Sequence, residues 1–492
     1  MASVNYKYYL WCNRFIKRMM IKEIRFGERR FLATERAPSF NTPKMTSEEI
    51  TSRLKSEEFS MKMGQKCAIA YYDTNQLAAN SPMEDSRAEA CTTFNNDILF
   101  GVFDGHGGRS CAQVVAKRLL KYISAALLPV DELNKYAKDM HNESVQIIKT
   151  FNDRYGFLQD LKILYDQKFT EYVNRLIINE KLQNLDVRQA LEIAFEQMDN
   201  DISEEAAEDR TPEKKYLMVG MTGSVACVVH IRGLDVHVAS VGDCQAILAG
   251  QNKDGDPNEW YSKTLSVEHN CENLDEVERV ISSHPKNERH SVIKNGRLLG
   301  TLTPFRAFGD VRYKWSKELL ESVAVPVFGA SVIPSNFYSP PYLISKPDVK
   351  HHKLTETDKF LVIATDGLWD VLSPHQVVQL VGDHMIGRSS ALWYRLHKLK
   401  ELFQSPKITS KTRGTEAIPV DKNSATHLIR ASLGGSDDDR VGRLLSFPQE
   451  HVRLIRDDIT VTVIFFDTDY IKNYREDEFK REEVTTSSPE VK

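Results

Sequence analysis

The chain of 492 residues has no apolar run reaching the ~18 residues that a membrane-spanning helix requires, so no span is expected. It has no Cys-x-x-Cys pair. Its seven cysteines (Cys12, Cys67, Cys91, Cys111, Cys227, Cys244, Cys271) are dispersed, which excludes a zinc ribbon and a disulfide scaffold. They read as free thiols in a reducing compartment, most of them small core residues. No internal repeat is present, and no EF-hand: the segment at Asp254-Gly-Asp256 lacks the glutamate such a loop needs at its twelfth position. An excess of basic over acidic charge is confined to the first thirty residues. There Lys7, Arg14, Lys17, Arg18, Lys22, Arg25, Arg29 and Arg30 outnumber Glu23 and Glu28 by six, which leaves the rest of a chain of formal charge −4 at −10. An acidic body argues against nucleic acid as a partner.

What is present is ordinary globular material, 41% hydrophobic and 27% charged, enough for a large core. The basic head alternates its charges with Tyr8, Trp11, Phe15, Ile16, Met19, Met20 and Ile24, the pattern of an amphipathic helix. Residues 1–33 are therefore read as a mitochondrial presequence, with Arg29-Arg30-Phe31-Leu32 as a processing region. The competing reading is a solvated basic helix that stays on the protein. Residues 34–64 follow as a polar N-terminal arm, then a folded domain over 65–468 and a disordered charged tail over 469–492.

Within the domain the expected strands are Cys67–Tyr72, Ile98–Phe103, Ser224–Ile231, Leu234–Val241, Ala246–Ala249, Phe360–Ala364 and Ile459–Phe466. Residues 109–128 carry Val114, Val115, Leu119, Leu120 and Ile123 at helical spacing. A helical insertion over 131–208 repeats apolar positions every three or four, and these are core-facing rather than functional. Residues 250–257 read as a turn, and 405–424 and 434–440 as loops. The pattern predicts an α/β (α+β) fold with a sheet-on-sheet core flanked by helices.

The informative feature is where the strands end. Leu99-Phe-Gly-Val-Phe-Asp104-Gly105-His106-Gly107 carries a buried strand straight into a carboxylate, a glycine whose carbonyl can be approached closely, and a proton-transfer group. One Asp-Gly after a strand is most often a plain turn. Here the pattern recurs. Asn80-Ser-Pro-Met-Glu84-Asp85 places two carboxylates side by side. Phe360-Leu-Val-Ile-Ala-Thr-Asp366-Gly367-Leu-Trp-Asp370 and Arg456-Asp457-Asp458-Ile-Thr-Val-Thr-Val follow, with Val241-Gly242-Asp243 as a weaker member. In extended chain, neighbours point to opposite faces, so one of Glu84 and Asp85 could bind a metal directly and the other through water. Strand ends converging on one acidic pocket would repel one another unless cations filled it. All-oxygen ligation suits Mg²⁺ or Mn²⁺ rather than zinc.

At these residues the chain resembles a known family. Leu99–Gly107 is similar at every position to the signature of the metal-dependent (PPM, or type 2C) serine/threonine phosphatases. Phe308-Gly309-Asp310, Ala364–Asp370 and Asp457–Val461 resemble its later motifs in order, and the likeness covers roughly 65–468. The resemblance implies a central antiparallel β-sandwich flanked by helices and a binuclear Mg²⁺ or Mn²⁺ centre that activates water. It further implies Asp85, Asp104, Asp366 and Asp457 as direct ligands, the Gly105 carbonyl as another, and Glu84 acting through water. Asp243 is similar to a ligand of a third, weaker ion. His106 would be the general acid, or a residue that only orients its loop, with Asp370 and Asp458 structural. Asn80 stands in the vicinity of the substrate phosphate, where most members carry an arginine; losing that guanidinium shifts phosphate binding onto the metals. This asparagine, Asn287–Ile293, Leu298–Trp315, Ser339–Leu343 and Asn423–Arg430 resemble the branch acting on the pyruvate dehydrogenase complex. That branch implies phosphoserine on E1α as substrate, the E2 lipoyl domain and a regulatory subunit as partners, Ca²⁺ at a partner interface, and the mitochondrial matrix. A phosphatase of the branched-chain ketoacid dehydrogenase and a catalytically dead scaffold are the competing readings.

Overall fold

Strand β4 (Ile98–His106) is apolar along both of its faces because both are covered: Ile98, Phe100 and Val102 meet a second sheet, while Leu99 and Phe103 meet helices. The computed structural model describes residues 44–476 except 65–66, 141–144, 153–160, 210, 212, 252–258 and 388–419. The basic head with its processing region, the turn at 252–257, residues 405–419 and the tail beyond 476 lie outside the described residues.

All sheet pairing is antiparallel. One sheet runs β1 (Phe59–Lys62), β2 (Ile69–Leu77), β15 (Ile459–Phe466), β14 (Asp358–Ala364), β8 (Gln245–Gly250), β9 (Tyr261–Thr264). The other runs β13 (Asp348–Lys353), β7 (Asp235–Val241), β6 (Gly223–Arg232), β4, β3 (Ser86–Thr92), β5 (Ile148–Thr150), with β12 (Phe308–Gly309) also paired to β6. A small hairpin of β10 (Ile293–Lys294) and β11 (Arg297–Leu298) stands apart. Period-two alternation sends one set of side chains between the sheets (Val225, Cys227, Val229, Leu361, Ile363) and the other set outward. Ala226 and Val228 pack under the helices Ser110–Ala126, Lys162–Ile178 and Val187–Ala207. On the far side Phe360, Val362, Val461 and Val463 pack under Pro374–Met385 and Ser424–Leu433. The result is the expected β-sandwich between helical layers. No described helix is long and apolar enough to cross a membrane, and the described cysteines are free thiols.

Several local expectations need correction. The arm is ordered from residue 47: Thr46 and Glu49 close a capping box on the helix Ser47–Leu54, and Ile50 and Leu54 are buried under the core. The strand expected at Cys67–Tyr72 runs instead from Ile69 to Leu77. Its polar half survives burial because Asp73 accepts hydrogen bonds from Ser60 Oγ (2.7 Å) and Ser424 N (2.7 Å), and Asn75 Nδ2 donates to Leu54 O (2.8 Å). The insertion is not helical throughout, since β5 extends the sheet at the edge of β3. Asp437 caps a helix, Asp438–Leu445, inside the expected loop at 434–440, and Asn423 caps Ser424–Leu433 at the end of the other. Residues 468–476 are helical rather than disordered, anchored by the fully buried Ile471.

Candidate active site

The acidic strand ends come from both sheets and meet at one end of the sandwich. Asp104 is in β4, Asp85 immediately precedes β3, Asp243 joins β7 to β8, Asp366 follows β14, and Asp457 precedes β15. The electrostatics register the convergence. Burial, then the charges of Asp366, Asp85 and Asp243, pushes the Asp104 carboxyl far above the usual carboxylate range, and its side chain is hydrogen-bonded to that of Asp366. Burial and then Asp458, with a smaller contribution from Asp366, raise Asp85 in the same way. Burial and Asp366 push Asp243 up to about 7. Like charges in a low-dielectric pocket cannot all stay ionised, so the cluster holds protons or calls for cations.

Asp85 is oriented from the opposite sheet. Thr365 Oγ1 and Thr460 Oγ1 both donate to its Oδ2 at 2.8 Å, leaving Oδ1 outside that pair of bonds. Asp458 carries out the structural part expected of it. Its Oδ1 accepts from the backbone of Ala79 (2.5 Å) and Asn80 (2.8 Å), and its Oδ2 from Asn80 Nδ2 (2.8 Å) and Glu84 N (2.8 Å). One buried carboxylate thereby folds the whole turn that presents Glu84 and Asp85, and it holds the Asn80 amide as well. Glu84 is raised by burial, although Arg453 nearby and the N–H of Gly108 work the other way. The Arg453 guanidinium pairs with Asp457, whose carboxylate also accepts from Asp458 N (2.7 Å).

Gly105 is required by space. A Cβ there would stand 2.4 Å from the Glu84 carbonyl oxygen and 3.1 Å from Ala112 Cβ, so only glycine lets β4 lie against the Glu84–Asp85 turn. Bare backbone beside a cluster of carboxylates is a donor set for a hard divalent cation. Among the described residues no three such side chains are closed to ligand distance around one point, so the acids are gathered rather than caged.

His106 sits beside this cluster with its side chain 27% exposed, and its Nε2 meets Asp310 Oδ2 at 2.5 Å. Burial disfavours the imidazolium, but the Asp310 carboxylate outweighs it, and the balance lies above the ordinary histidine value. A histidine whose protonated form is favoured by a neighbouring carboxylate is suited to donate a proton. Gly223 makes room for the pair, since a Cβ there would fall 2.1 Å from His106 Nε2 and 2.3 Å from Asp310 Oδ2. Asp310 is the residue that sequence reasoning left without a role. Its motif, Phe308-Gly309-Asp310, was visible, but nothing local says that an aspartate after glycine reaches a histidine two hundred residues earlier.

With the geometry in place, the comparisons are specific. The protein phosphatase 2C family matches residues 71–392. The chain is similar to the mitochondrial pyruvate dehydrogenase (acetyl-transferring) phosphatase 1 of Bos taurus, 38% identical over 463 residues, covering 88% of this chain and 85% of that one. It is similar to the mitochondrial phosphatase 2 of the same description from Homo sapiens, 36% identical over 431 residues, covering 83% and 80%. A serine-threonine phosphatase 2C of Toxoplasma gondii, solved by crystallography, aligns over 83% of this chain and 99% of that one at 16% identity, with a TM-score of 0.43.

Proposed function

The chain belongs to the protein phosphatase 2C family, a metal-dependent family, and on that footing we propose that it removes phosphate from phosphoserine on the E1α subunit of the pyruvate dehydrogenase complex, reactivating it. The observation that carries the reaction class is the convergence of Asp85, Asp104, Asp243 and Asp366 from two sheets onto one pocket where they raise one another's proton affinity. Support for the substrate is the likeness, over most of the chain, to relatives named for pyruvate dehydrogenase and for the mitochondrion. A mitochondrial matrix location, the E2 lipoyl domain and a regulatory subunit as partners, and Ca²⁺ at a partner interface belong to the same reading.

Asp85, Asp104, Asp366, Asp457 and the Gly105 carbonyl would hold two Mg²⁺ or Mn²⁺ ions, with Glu84 acting through water and Asp243 serving a third, weaker one. Such ions, when bound, neutralise phosphoryl charge and lower the pKa of a water molecule to near neutrality. Thr365 and Thr460 hold Asp85 in register, and Asp458 holds the turn that carries Glu84 and Asp85. His106 gives its proton to the departing serine oxygen as the P–O bond breaks, while water oxygen forms the new bond to phosphorus; Asp310 keeps the ring charged and aimed. Asn80 lies beside the substrate phosphate as a neutral amide bound to Asp458, which leaves more of the phosphate binding to the metals.

The test is phosphate release from phosphorylated pyruvate dehydrogenase complex with Mg²⁺ and then with chelator, beside phosphorylated branched-chain ketoacid dehydrogenase complex. Fast metal-dependent release from the pyruvate complex alone is expected. Preference for the branched-chain complex would discard the substrate, and no release from either would leave the scaffold reading.

A further inference from the structure

His106 is held at second hand by the helix Val187–Ala207, which binds the segment that carries Asp310. Asp199, on Val187–Ala207, is buried; its Oδ1 accepts from Gly309 N (2.8 Å), and both of its oxygens accept from Lys314 Nζ (2.7 Å each). Lys314 Nζ also donates to Ala307 O (2.8 Å). One helical turn on, Ser203 Oγ accepts from Trp315 Nε1 (2.7 Å). One face of the helix thus grips the segment 307–315 at both ends.

Between those grips lies Asp310, in the left-handed region at φ +50°, its N–H donating to Thr222 O (3.0 Å) and its Oδ2 meeting His106 Nε2. Aspartate is one of the few non-glycine residues that reach this region at modest cost, and here the neighbouring groups fix it there. The groups that fix the segment are the Asp199–Lys314 ion pair, both of whose side chains are only 10% exposed, and the close packing of Gly309, where a Cβ would stand 2.8 Å from Cys111 Sγ. A buried ion pair is a poor means of gaining stability compared with apolar packing, and a better means of fixing geometry.

We propose that Asp199 and Lys314 are positioning residues for His106, acting through Asp310. This rests on the reading of His106 as the proton donor to the leaving oxygen. Slack in the pair would let Asp310, and with it the imidazole, drift from the line to the leaving group. Such a drift penalises only leaving groups that need a proton.

The experiment compares kcat and KM for a phosphoserine peptide, whose alkoxide must be protonated, with p-nitrophenyl phosphate, whose phenolate need not be, in saturating Mn²⁺. For Lys314→Met the serine-to-aryl ratio of kcat should fall about tenfold or more, with the two KM values changing by less than about twofold, and Lys314→Arg should recover most of the ratio. Because breaking one side of a buried pair can unfold a protein, Asp199→Leu combined with Lys314→Met is the second variant, since removing both charges together is better tolerated. It should show the same ratio loss while melting as a folded protein. Equal losses on both esters, or an unchanged ratio in the folded double variant, overturn the positioning role alone. Failure of the unmodified protein to turn over either ester overturns the phosphatase reading and the positioning role together.

Discussion

In the helical layer, Arg118 lies against Glu205 through two parallel hydrogen bonds (2.9 and 2.7 Å), donates to Tyr122 OH (3.1 Å) and stacks 3.9 Å from the centre of the Tyr165 ring. Tyr122 in turn donates to Asp201, which also accepts from Gln197 Nε2 (2.6 Å). At the strand ends, Asp85, Asp104, Asp243 and Asp366 are also gathered in the interior, but the charge nearest each includes another carboxylate. Both regions bury ionisable groups. The helical network sets the Arg118 guanidinium against Glu205 and, at 3.9 Å, Asp201, and the neutral donors Tyr122 and Gln197 satisfy the second carboxylate. The strand-end cluster leaves its charge uncompensated, which is costly for the fold and useful for binding cations. Buried acids held by a cation and hydrogen-bond donors read as architecture, and buried acids that face mainly one another read as the candidate site.

That contrast can be broken by mutation. The largest effect is expected at the cluster: Asp366→Asn or Asp104→Asn should lower phosphate release by roughly a thousandfold. The same changes should leave the metal-free melting temperature unchanged or higher, because one like charge has gone. Near-normal release from either variant would remove these residues from the chemistry. Arg118→Met should do the reverse. It strands Glu205 in the interior, so denaturant unfolding should show a loss of about 3–5 kcal/mol while turnover per folded molecule is preserved. An activity loss as large as that of Asp366→Asn would abolish the distinction between the two regions.

Mn²⁺ should raise the stability of the unmodified protein by about 2.7 kcal/mol at a hundred times its dissociation constant, reversibly with chelator. It should do so much less in a variant carrying both Asp104→Asn and Asp366→Asn, and equally little if the network rather than the cluster were altered would contradict the assignment. The smallest effect concerns a third way of treating buried ionisable groups, keeping them neutral. Burial, then His230 and His351 beside it, lowers the His237 imidazole to about 4, with Asp235 opposing and Arg232 assisting. The unfolded chain therefore takes up a proton at a pH where the folded chain does not. The stability involved is fully present above about 6.5, falls as pH drops from about 6.5 to about 4, and is level below that. Allowing for partial solvent screening, His237→Leu should flatten this slope by about 1–2 kcal/mol in pH-dependent unfolding. An unchanged slope would mean that another group carries the acid sensitivity.

Much of this was legible in the residues. The apolar runs ending at Phe103, Val241, Ala364 and Phe466 are strands to within a few residues, because burial on both faces leaves a continuous hydrophobic signal. The acids after them are visible as departures from that signal. The errors fall where local composition conflicts with distant partners. Thr46-x-x-Glu49 is a capping signal inside a stretch that otherwise reads as linker, and its helix exists because Ile50 and Leu54 find a core. Asp73 and Asn75 read as a strand end, and remain strand only because Ser60, Ser424 and Leu54 satisfy them. Asp310 stood in a visible motif without its partner, and Asp199 and Lys314 carry no local mark of their importance.

The amino-acid order alone determined the strand periodicity, the identity of the carboxylates and the single histidine placed among them, since these depend on side chains within a few residues of one another. The tertiary structure decided which carboxylates crowd which, that Thr365 and Thr460 orient Asp85, that Asp458 folds the Asn80–Asp85 turn, and that His106 is held by Asp310. Those relations arise only when two sheets pack face to face and bring their strand ends together. Electrostatic repulsion falls off with distance through space, and distance through space is set by packing rather than by separation along the chain.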